Sequence, residues 1–167
     1  MTDKILIVIP SLEPDEKLVE LTGELKREGF SHILIVNDGS GPAYDDIFAR
    51  AVAEGDCRLL THSVNQGKGR AMKTAFNEFL LHPDGCEGVV TVDSDGQHRP
   101  ADIRKCCEAL LAHPDSLILG SRNFDEKGVP LKSSFGNKLT RKIFGFLSGI
   151  HIRDTQTGLR GFSPALV

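Results

Sequence analysis

The strongest constraint on the fold is the alternation of short apolar runs with longer segments of helical period. A run such as Ile5–Ile9 has the length and the Ile and Val content of a buried strand. The next segment, Asp15–Glu28, places its leucines on one helical face and is followed by Gly29, a typical helix C-cap residue. We predict strands at Ile5–Ile9, His32–Val36, Arg58–Thr61, Gly88–Val92 and Ser116–Leu119, and helices at Asp15–Glu28, Tyr44–Ala53, Gly69–Leu81, Ala101–Ala112 and Asn137–Leu147.

This alternation is typical of βαβ units, in which a parallel sheet is buried between helices. We therefore predict an α/β protein with a Rossmann-like, mostly parallel sheet and helices on both faces. The chain has 167 residues, the length of one domain. Because 40% of the residues are hydrophobic and 26% are charged, the composition excludes intrinsic disorder.

Charge, hydropathy and cysteine content exclude several classes of protein. The net charge of −3, from 20 basic and 23 acidic residues, gives no general attraction to nucleic acid. No apolar run approaches the roughly 20 residues that span a bilayer, and residues 1–9 lack the basic start of a signal peptide. We therefore expect a cytoplasmic protein with reduced, structural thiols. The four cysteines form no CxxC pair and are Cys57, Cys86, Cys106 and Cys107.

Ligands of such sheets bind beyond the carboxyl ends of the strands, where the connecting loops converge. The polar residues that follow the predicted strands are therefore candidate site residues. They are Ser11 and Glu13 after the first strand, Asp38 and Ser40 after the second, Asp93 and Asp95 after the fourth, and Ser121 and Arg122 after the fifth.

The segment Asp93-Ser94-Asp95 predicts a metal site. Two carboxylates two residues apart repel each other unless a cation neutralises them, and alternate residues of extended backbone point the same way. Such hard oxygen ligands suit Mg²⁺ or Mn²⁺, and Gln97 or His98 can supply a further ligand. The alternative is a solvated turn, since Asp, Ser and Gly are common turn residues.

Two other segments indicate a nucleotide. Asp38, in a turn after the second strand, can accept hydrogen bonds from ribose hydroxyls, and a plain turn with a helix cap is the alternative. Lys68 and Arg70 lie close to backbone amides at a helix start, where phosphate is favoured, and a helix N-terminus with solvated basic residues is the alternative. The first strand leads into Pro10-Ser11-Leu12-Glu13 instead of the glycine fingerprint for NAD or FAD, and residues 65–70 lack Walker A spacing.

Later segments leave two interpretations open. Arg122 suits bidentate phosphate binding or a surface ion pair. The basic segment 132–142 and the apolar residues after it could contact an anionic membrane surface, or they could pack in the core with exposed lysines. The polar segment 154–162 predicts a loop, either over a substrate or at the surface.

Taken in order, these motifs resemble those of the family 2 inverting glycosyltransferases of GT-A fold, in the branch similar to dolichyl-phosphate mannose synthases and other polyprenyl-phosphate glycosyltransferases. The resemblance covers nearly the whole chain. One departure is Glu13-Pro14, where the family usually has an Asn-Glu pair. The matching segments are Ile-Pro-Ser (9–11), Val-Asn-Asp-Gly-Ser (36–40), Asn-Gln-Gly-Lys-Gly (65–69), Val-Asp-Ser-Asp-Gly-Gln-His (92–98), Gly-Ser-Arg (120–122) and Asp-Thr-Gln-Thr-Gly-Leu-Arg-Gly (154–161).

The resemblance implies transfer of a sugar from a UDP- or GDP-sugar to an acceptor, expected to be a polyprenyl phosphate, with Mg²⁺ or Mn²⁺ on the diphosphate. It implies that Asp38 contacts the ribose or base and that Asp95, Gln97 and Asp93 hold the metal. The implied substrate-binding residues are Pro10, Ser11, Glu13, Asp38, Ser40, Gly67, Lys68, Asp93, Ser94 and Lys132.

On the acceptor side, Arg122 and Lys132 match basic positions that meet acceptor phosphate in that branch. A phosphate acceptor is already anionic, whereas a hydroxyl acceptor needs a base to take its proton, and Asp154 is the candidate base. We expect residues 1–167 to form one catalytic domain that is cut short at its C-terminus and works at the inner face of a membrane. The sequence does not indicate an oligomeric state.

Two alternatives remain open at this point. The first is a nucleotide-sugar-binding module without turnover, since the acceptor side of the resemblance is incomplete. The second is a sugar nucleotidyltransferase, which has a related sheet. That class needs a Gly-rich basic segment directly after the first strand, and Pro10-Ser11-Leu12-Glu13 does not provide one.

Overall fold

The structure is a computed structural model, and it describes residues 2–120 and 158–167. No helix within these ranges is both long and apolar enough to cross a membrane. The strands are β1 Ile5–Ser11, β2 Ile33–Asn37, β3 Arg58–Thr61, β4 Gly88–Thr91, β5 Ile118–Leu119 and β6 Arg160–Phe162. The helices are α1 Glu16–Arg27, α2 Asp45–Gly55, α3 Lys68–Leu81 and α4 Pro100–Ala112, with short 3₁₀ turns at Thr2–Lys4, Pro42–Tyr44 and Pro164–Leu166.

The strands form one sheet in the order β3-β2-β1-β4-β6-β5. β1 pairs in parallel with β2 on one side and with β4 on the other, and β3 pairs in parallel with β2. β6 lies antiparallel between β4 and β5. The chain therefore winds away from β1 in opposite directions, and the crevice between β1 and β4 is the topological switch point where ligands of such sheets bind.

Both faces of the sheet are covered because the side chains of β1 alternate between two hydrophobic clusters. Ile7 points toward the cluster that includes Leu25 of α1 and Ile103 of α4, whereas Val8 points toward Phe79 of α3. All of these side chains are at least 98% buried, and each such burial stabilises the fold by roughly 1.5–3 kcal/mol. The predicted α/β sheet with helices on both faces is confirmed.

The main correction concerns the segment 154–162, which we predicted as a loop. Its last three residues form β6, and Gly161 pairs with both Val90 and Ile118. A three-residue strand with a central glycine has no apolar run, so only its neighbours in the sheet make it a strand. The predicted helix Asn137–Leu147 and the basic segment 132–142 lie outside the described residues.

The turn after β2 is packed tightly against the loop that follows β3. Gly39 has a φ of +77°, and a Cβ atom at this position would lie 2.1 Å from the backbone carbonyl carbon of Val64. The same turn is held by Ser40, whose amide donates to Asn37 Oδ1 at 2.8 Å. Only glycine combines this left-handed backbone with so close an approach.

Gly39→Ala is therefore expected to lower the free energy of unfolding by about 2 kcal/mol or more, through backbone strain and a displaced Val64. Gly41 is the matched control, because its φ is −70° and its Cβ would meet nothing within 4 Å. Gly41→Ala should cost less than about 1 kcal/mol. Urea unfolding measures both variants, and equal midpoints would contradict the proposed packing.

Candidate functional site

A cavity of about 360 Å³ opens at the carboxyl ends of β1, β2 and β4, at the switch point of the sheet. Three of its walls are the segments after β1 and β4 and the start of α3. Eight predicted site residues line it: Pro10, Ser11, Asp38, Gly67, Lys68, Asp93, Ser94 and Asp95. Its other lining residues are Leu12, Asn65 and Ala71.

The remaining predicted residues fall into two groups. Glu13 and Ser40 do not line the cavity, but they join the loops behind it, since the Glu13 amide donates to Ser40 Oγ at 2.9 Å. Gln97 does not line the cavity either, but its amide donates to Oδ1 of the lining residue Asp95 at 3.0 Å. Ser121, Arg122, Lys132 and Asp154 lie outside the described residues.

Asp38 is a buried carboxylate that organises one end of the cavity. Its Oδ1 lies 2.7 Å from His62 Nδ1 and accepts a hydrogen bond from the Gln66 amide at 3.1 Å. Burial alone would raise the pKa of Asp38, but hydrogen bonds from His62 and from the amides of Gln66 and Gly67 outweigh it and lower the pKa. Asp38 is therefore ionised at neutral pH and accepts hydrogen bonds from donor groups.

Asp93 stands at the opposite side of the cavity between two basic side chains. Lys68 Nζ donates to its Oδ1, and His98 Nε2 lies 3.8 Å from its Oδ2. His98 lowers the pKa of Asp93 most, burial opposes this, and Lys68 lowers it further, to about 2. Lys68, which is half-exposed, thus carries its positive charge into the cavity.

Gly158 lies directly against the Asp93 carboxylate. A Cβ on Gly158 would lie 1.9 Å from Asp93 Oδ2, so only glycine fits beside this carboxylate. The Gly158 carbonyl accepts a hydrogen bond from Thr91 Oγ1 at 2.9 Å, which ties it to the end of β4. This hydrogen bond and the close approach to Asp93 hold Gly158 at the acidic edge of the cavity.

The carboxyl groups of Asp93 and Asp95 differ in what they can hold. Both oxygens of Asp93 face the basic residues Lys68 and His98, whereas Asp95 is exposed and accepts a hydrogen bond at Oδ1 from the Gln97 amide. Within the described ranges, no group of three or more His, Cys, Asp or Glu side chains is arranged to hold a metal. One exposed carboxylate nevertheless fits Mg²⁺ or Mn²⁺, because these ions commonly take one or two carboxylates together with substrate phosphates and water.

Ser11 adds an unsatisfied polar group to the cavity wall. The residue is 3% exposed, and its Oγ has no hydrogen-bond partner among the described residues. Its carbonyl accepts from the Asp38 amide at 2.9 Å, which fixes the loop after β1 against the turn after β2. A buried hydroxyl without a partner costs roughly 1–3 kcal/mol, and a ligand group could recover that cost.

Sequence reasoning missed His62, the side chain closest to the Asp38 carboxylate. His62 directly follows β3, so it satisfies the same rule that selected polar residues after the other strands. The signal at this position is weak, because β3 is a four-residue strand at the edge of the sheet.

A second cavity, of about 460 Å³, lies near the end of α1 and the start of α4. It is larger than the first, but none of the predicted site residues lines it, and it lies away from the switch point. Its lining residues are Glu24, Arg27, Glu28, Arg99, Pro100 and Ala101. We therefore assign the candidate site to the first cavity.

Lys68→Gln is expected to raise the pKa of Asp93 above its value of about 2, because the carboxylate loses the cation that is hydrogen-bonded to its Oδ1. His98 should keep the pKa below the ordinary range of an aspartate. Lys73→Gln is the matched control, since Lys73 is exposed on the same helix and does not line the cavity. Carboxyl ¹³C NMR titration measures this pKa, and no change in Lys68→Gln would contradict the pairing.

Comparisons with known proteins identify the family. The chain is 34% identical, over 96% of its length, to an uncharacterized protein of Methanocaldococcus jannaschii, and 29% identical, over 99%, to the UDP-N-acetylglucosamine–dolichyl-phosphate N-acetylglucosaminyltransferase of Methanococcus voltae. It spans 65% of the first relative and 72% of the second.

The solved structures show the same fold. Glucosyl-3-phosphoglycerate synthase from Mycobacterium tuberculosis, in complex with Mn²⁺, UDP and glucosyl-3-phosphoglycerate, matches with a TM-score of 0.71 at 20% identity, over 98% of this chain and 57% of that chain. This confirms the GT-A fold. The family model for Glycosyl transferase family 2 matches residues 7–166, and the chain therefore belongs to this family.

Proposed function

We propose that residues 1–167 act as one catalytic domain that transfers a sugar, with inversion, from a nucleotide diphosphate sugar to a polyprenyl phosphate. The observation that carries the proposal is the convergence of Asp38, Lys68, Asp93 and Asp95 on one cavity at the switch point of a family 2 glycosyltransferase. The Methanococcus voltae relative is named for a UDP-sugar donor and a dolichyl-phosphate acceptor, which supports both substrate classes.

The donor nucleotide would lie between Asp38 and Lys68. The ionised Asp38 can accept hydrogen bonds from the ribose hydroxyls or from N–H groups of a uracil or guanine base. The Ser11 hydroxyl, which has no partner within residues 2–120 and 158–167, offers a further hydrogen bond in the same wall. Lys68 supplies positive charge for the diphosphate, and the Gly67 backbone at the start of α3 allows close approach of phosphate.

Asp95 and Gln97 would hold a divalent ion on the diphosphate. When Lys68 pairs with the diphosphate instead of with Asp93, the Asp93 carboxylate would become a third ligand. Asp95 is the exposed carboxylate of the pair, and the Lys68 side chain is half-exposed, which leaves its ammonium group open to a diphosphate. A bound Mg²⁺ or Mn²⁺ acts as a Lewis acid that stabilises the negative charge of the leaving diphosphate. The UDP and Mn²⁺ complex of the Mycobacterium tuberculosis structure supports this choice of ion.

The acceptor would approach from the side of Gly158. In sequence, this residue lies four positions beyond Asp154, and it contacts Asp93. With a polyprenyl phosphate as acceptor, Arg122 and Lys132 would bind the phosphate, whose anionic oxygen attacks without a general base. With a hydroxyl acceptor, Asp154 would take the proton. A lipid phosphate acceptor also places the proposed reaction at the inner face of a membrane.

Asp95→Ala is expected to lower metal-dependent transfer by about a hundredfold or more, because Lewis-acid stabilisation of the leaving group is worth several kcal/mol. The assay follows release of nucleoside diphosphate from a panel of UDP- and GDP-sugars with a polyprenyl phosphate and Mn²⁺. Asp115→Ala, an exposed aspartate between α4 and β5, is the control and should keep wild-type activity. Wild-type activity in Asp95→Ala would contradict the metal assignment.

Thermal unfolding of the same variants measures nucleotide binding separately from turnover, which the release assay measures. UDP or GDP at about a hundred times its Kd should raise the wild-type Tm by about 5–10 °C in the presence of Mn²⁺. The rise should be much smaller for Asp95→Ala, whose unliganded Tm should match that of the wild type. A metal-dependent rise without any product release would indicate a nucleotide-sugar-binding module instead of a transferase.

A further inference from the structure

Three hydrogen-bonded side chains, Asp38, His62 and Thr74, link the turn after β2 to the loop after β3 and to helix α3. His62, which follows β3, contacts Asp38 Oδ1 through Nδ1 at 2.7 Å and Thr74 Oγ1 of α3 through Nε2 at 2.8 Å. The His62 side chain is 9% exposed and that of Asp38 is 4% exposed. The chain of contacts therefore runs through the protein beneath the cavity and is largely shielded from water.

The chemistry of the partners fixes the roles of the ring nitrogens. An ionised carboxylate can only accept, so Nδ1 carries a hydrogen and donates it to Asp38. Because Thr74 holds Nε2 on the opposite side, the ring cannot turn without losing a hydrogen bond at both ends. The His62 amide also donates to the Asn37 carbonyl at 2.9 Å, which fixes the backbone of His62 beside Asp38.

Stability of the fold gives little reason for such an arrangement. Burying a carboxylate is costly, and buried charged or polar clusters can often be replaced by apolar side chains without loss of stability. Asp38 lines the cavity, whereas His62 and Thr74 do not. The arrangement thus places a fixed acceptor in the cavity wall and puts the groups that hold it behind the wall.

We propose that His62 is a positioning residue for the donor nucleotide, which sets nucleotide affinity by holding the Asp38 carboxylate in place through Nδ1. This inference rests on the proposed function and deepens it. His62 touches no ligand itself. Its loss should weaken binding of the nucleoside diphosphate through Asp38, while Lys68, Asp93 and Asp95 keep their positions.

The test uses two amide variants that differ in which ring nitrogen they mimic. In His62→Asn the side-chain NH₂ group can take the place of Nδ1 and donate to Asp38. In His62→Gln it takes the place of Nε2 and reaches Thr74 instead. Titration calorimetry with UDP and with GDP, each with Mg²⁺, measures Kd for the full chain. For the nucleotide that the wild type binds, we expect His62→Asn to keep Kd within about threefold and His62→Gln to weaken it about tenfold or more.

His82→Gln is the control for the substitution itself, since His82 is exposed at the end of α3 and should leave Kd unchanged. Equal effects of His62→Asn and His62→Gln, whether both weaken binding or neither does, would overturn the inference. If neither ring variant folds, Thr74→Val decides, with about threefold weaker binding expected and an unchanged Kd overturning the inference. A wild-type chain that binds neither nucleotide would overturn the proposed function, and this inference with it.

Discussion

The hydrogen bonds to the Asp38 carboxylate are the interaction on which the rest of the site depends. A carboxylate buried to this degree stays ionised only because donors surround it, and here the donors come from His62 and the loop that follows it. That loop must therefore close over the end of β2. Gly39 permits the close approach, since any side chain at this position would meet the backbone of Val64.

The same loop connects the two sides of the cavity. It begins at the edge strand β3, passes Asp38 and ends at the first residue of α3, Lys68, whose ammonium group reaches Asp93 beyond β4. Hydrogen-bond donors thus stabilise the Asp38 carboxylate at the buried end of the site, and the Lys68 ammonium group pairs with Asp93 at the open end. This division fits a nucleotide, which has a base and ribose with hydrogen-bonding groups at one end and a charged diphosphate at the other.

Much of this arrangement could be predicted from sequence, because parallel strands bring their carboxyl ends to one edge of the sheet. Asp38 and Asp93 each follow an apolar run, and this position alone predicts that their side chains lie at the same edge of the sheet. The side chains that pair with these two carboxylates are harder to predict from the sequence. The pairing of Lys68 with Asp93 crosses the cavity, and the strand β6 exists only through pairing with β4 and β5. His62 directly follows β3, so the rule that polar residues after strands are site candidates also selects it.

The central claim is that the cavity organised by Asp38 binds the donor nucleotide, and amide NMR tests it most directly. Titration of the ¹⁵N-labelled chain with UDP or GDP and Mg²⁺ should shift the amide signals of Gln66, Gly67 and Asp95 in a saturable manner. The amides of Glu24 and Arg27, at the second cavity, should stay unchanged. Shifts confined to Glu24 and Arg27, or none with either nucleotide, would contradict the account.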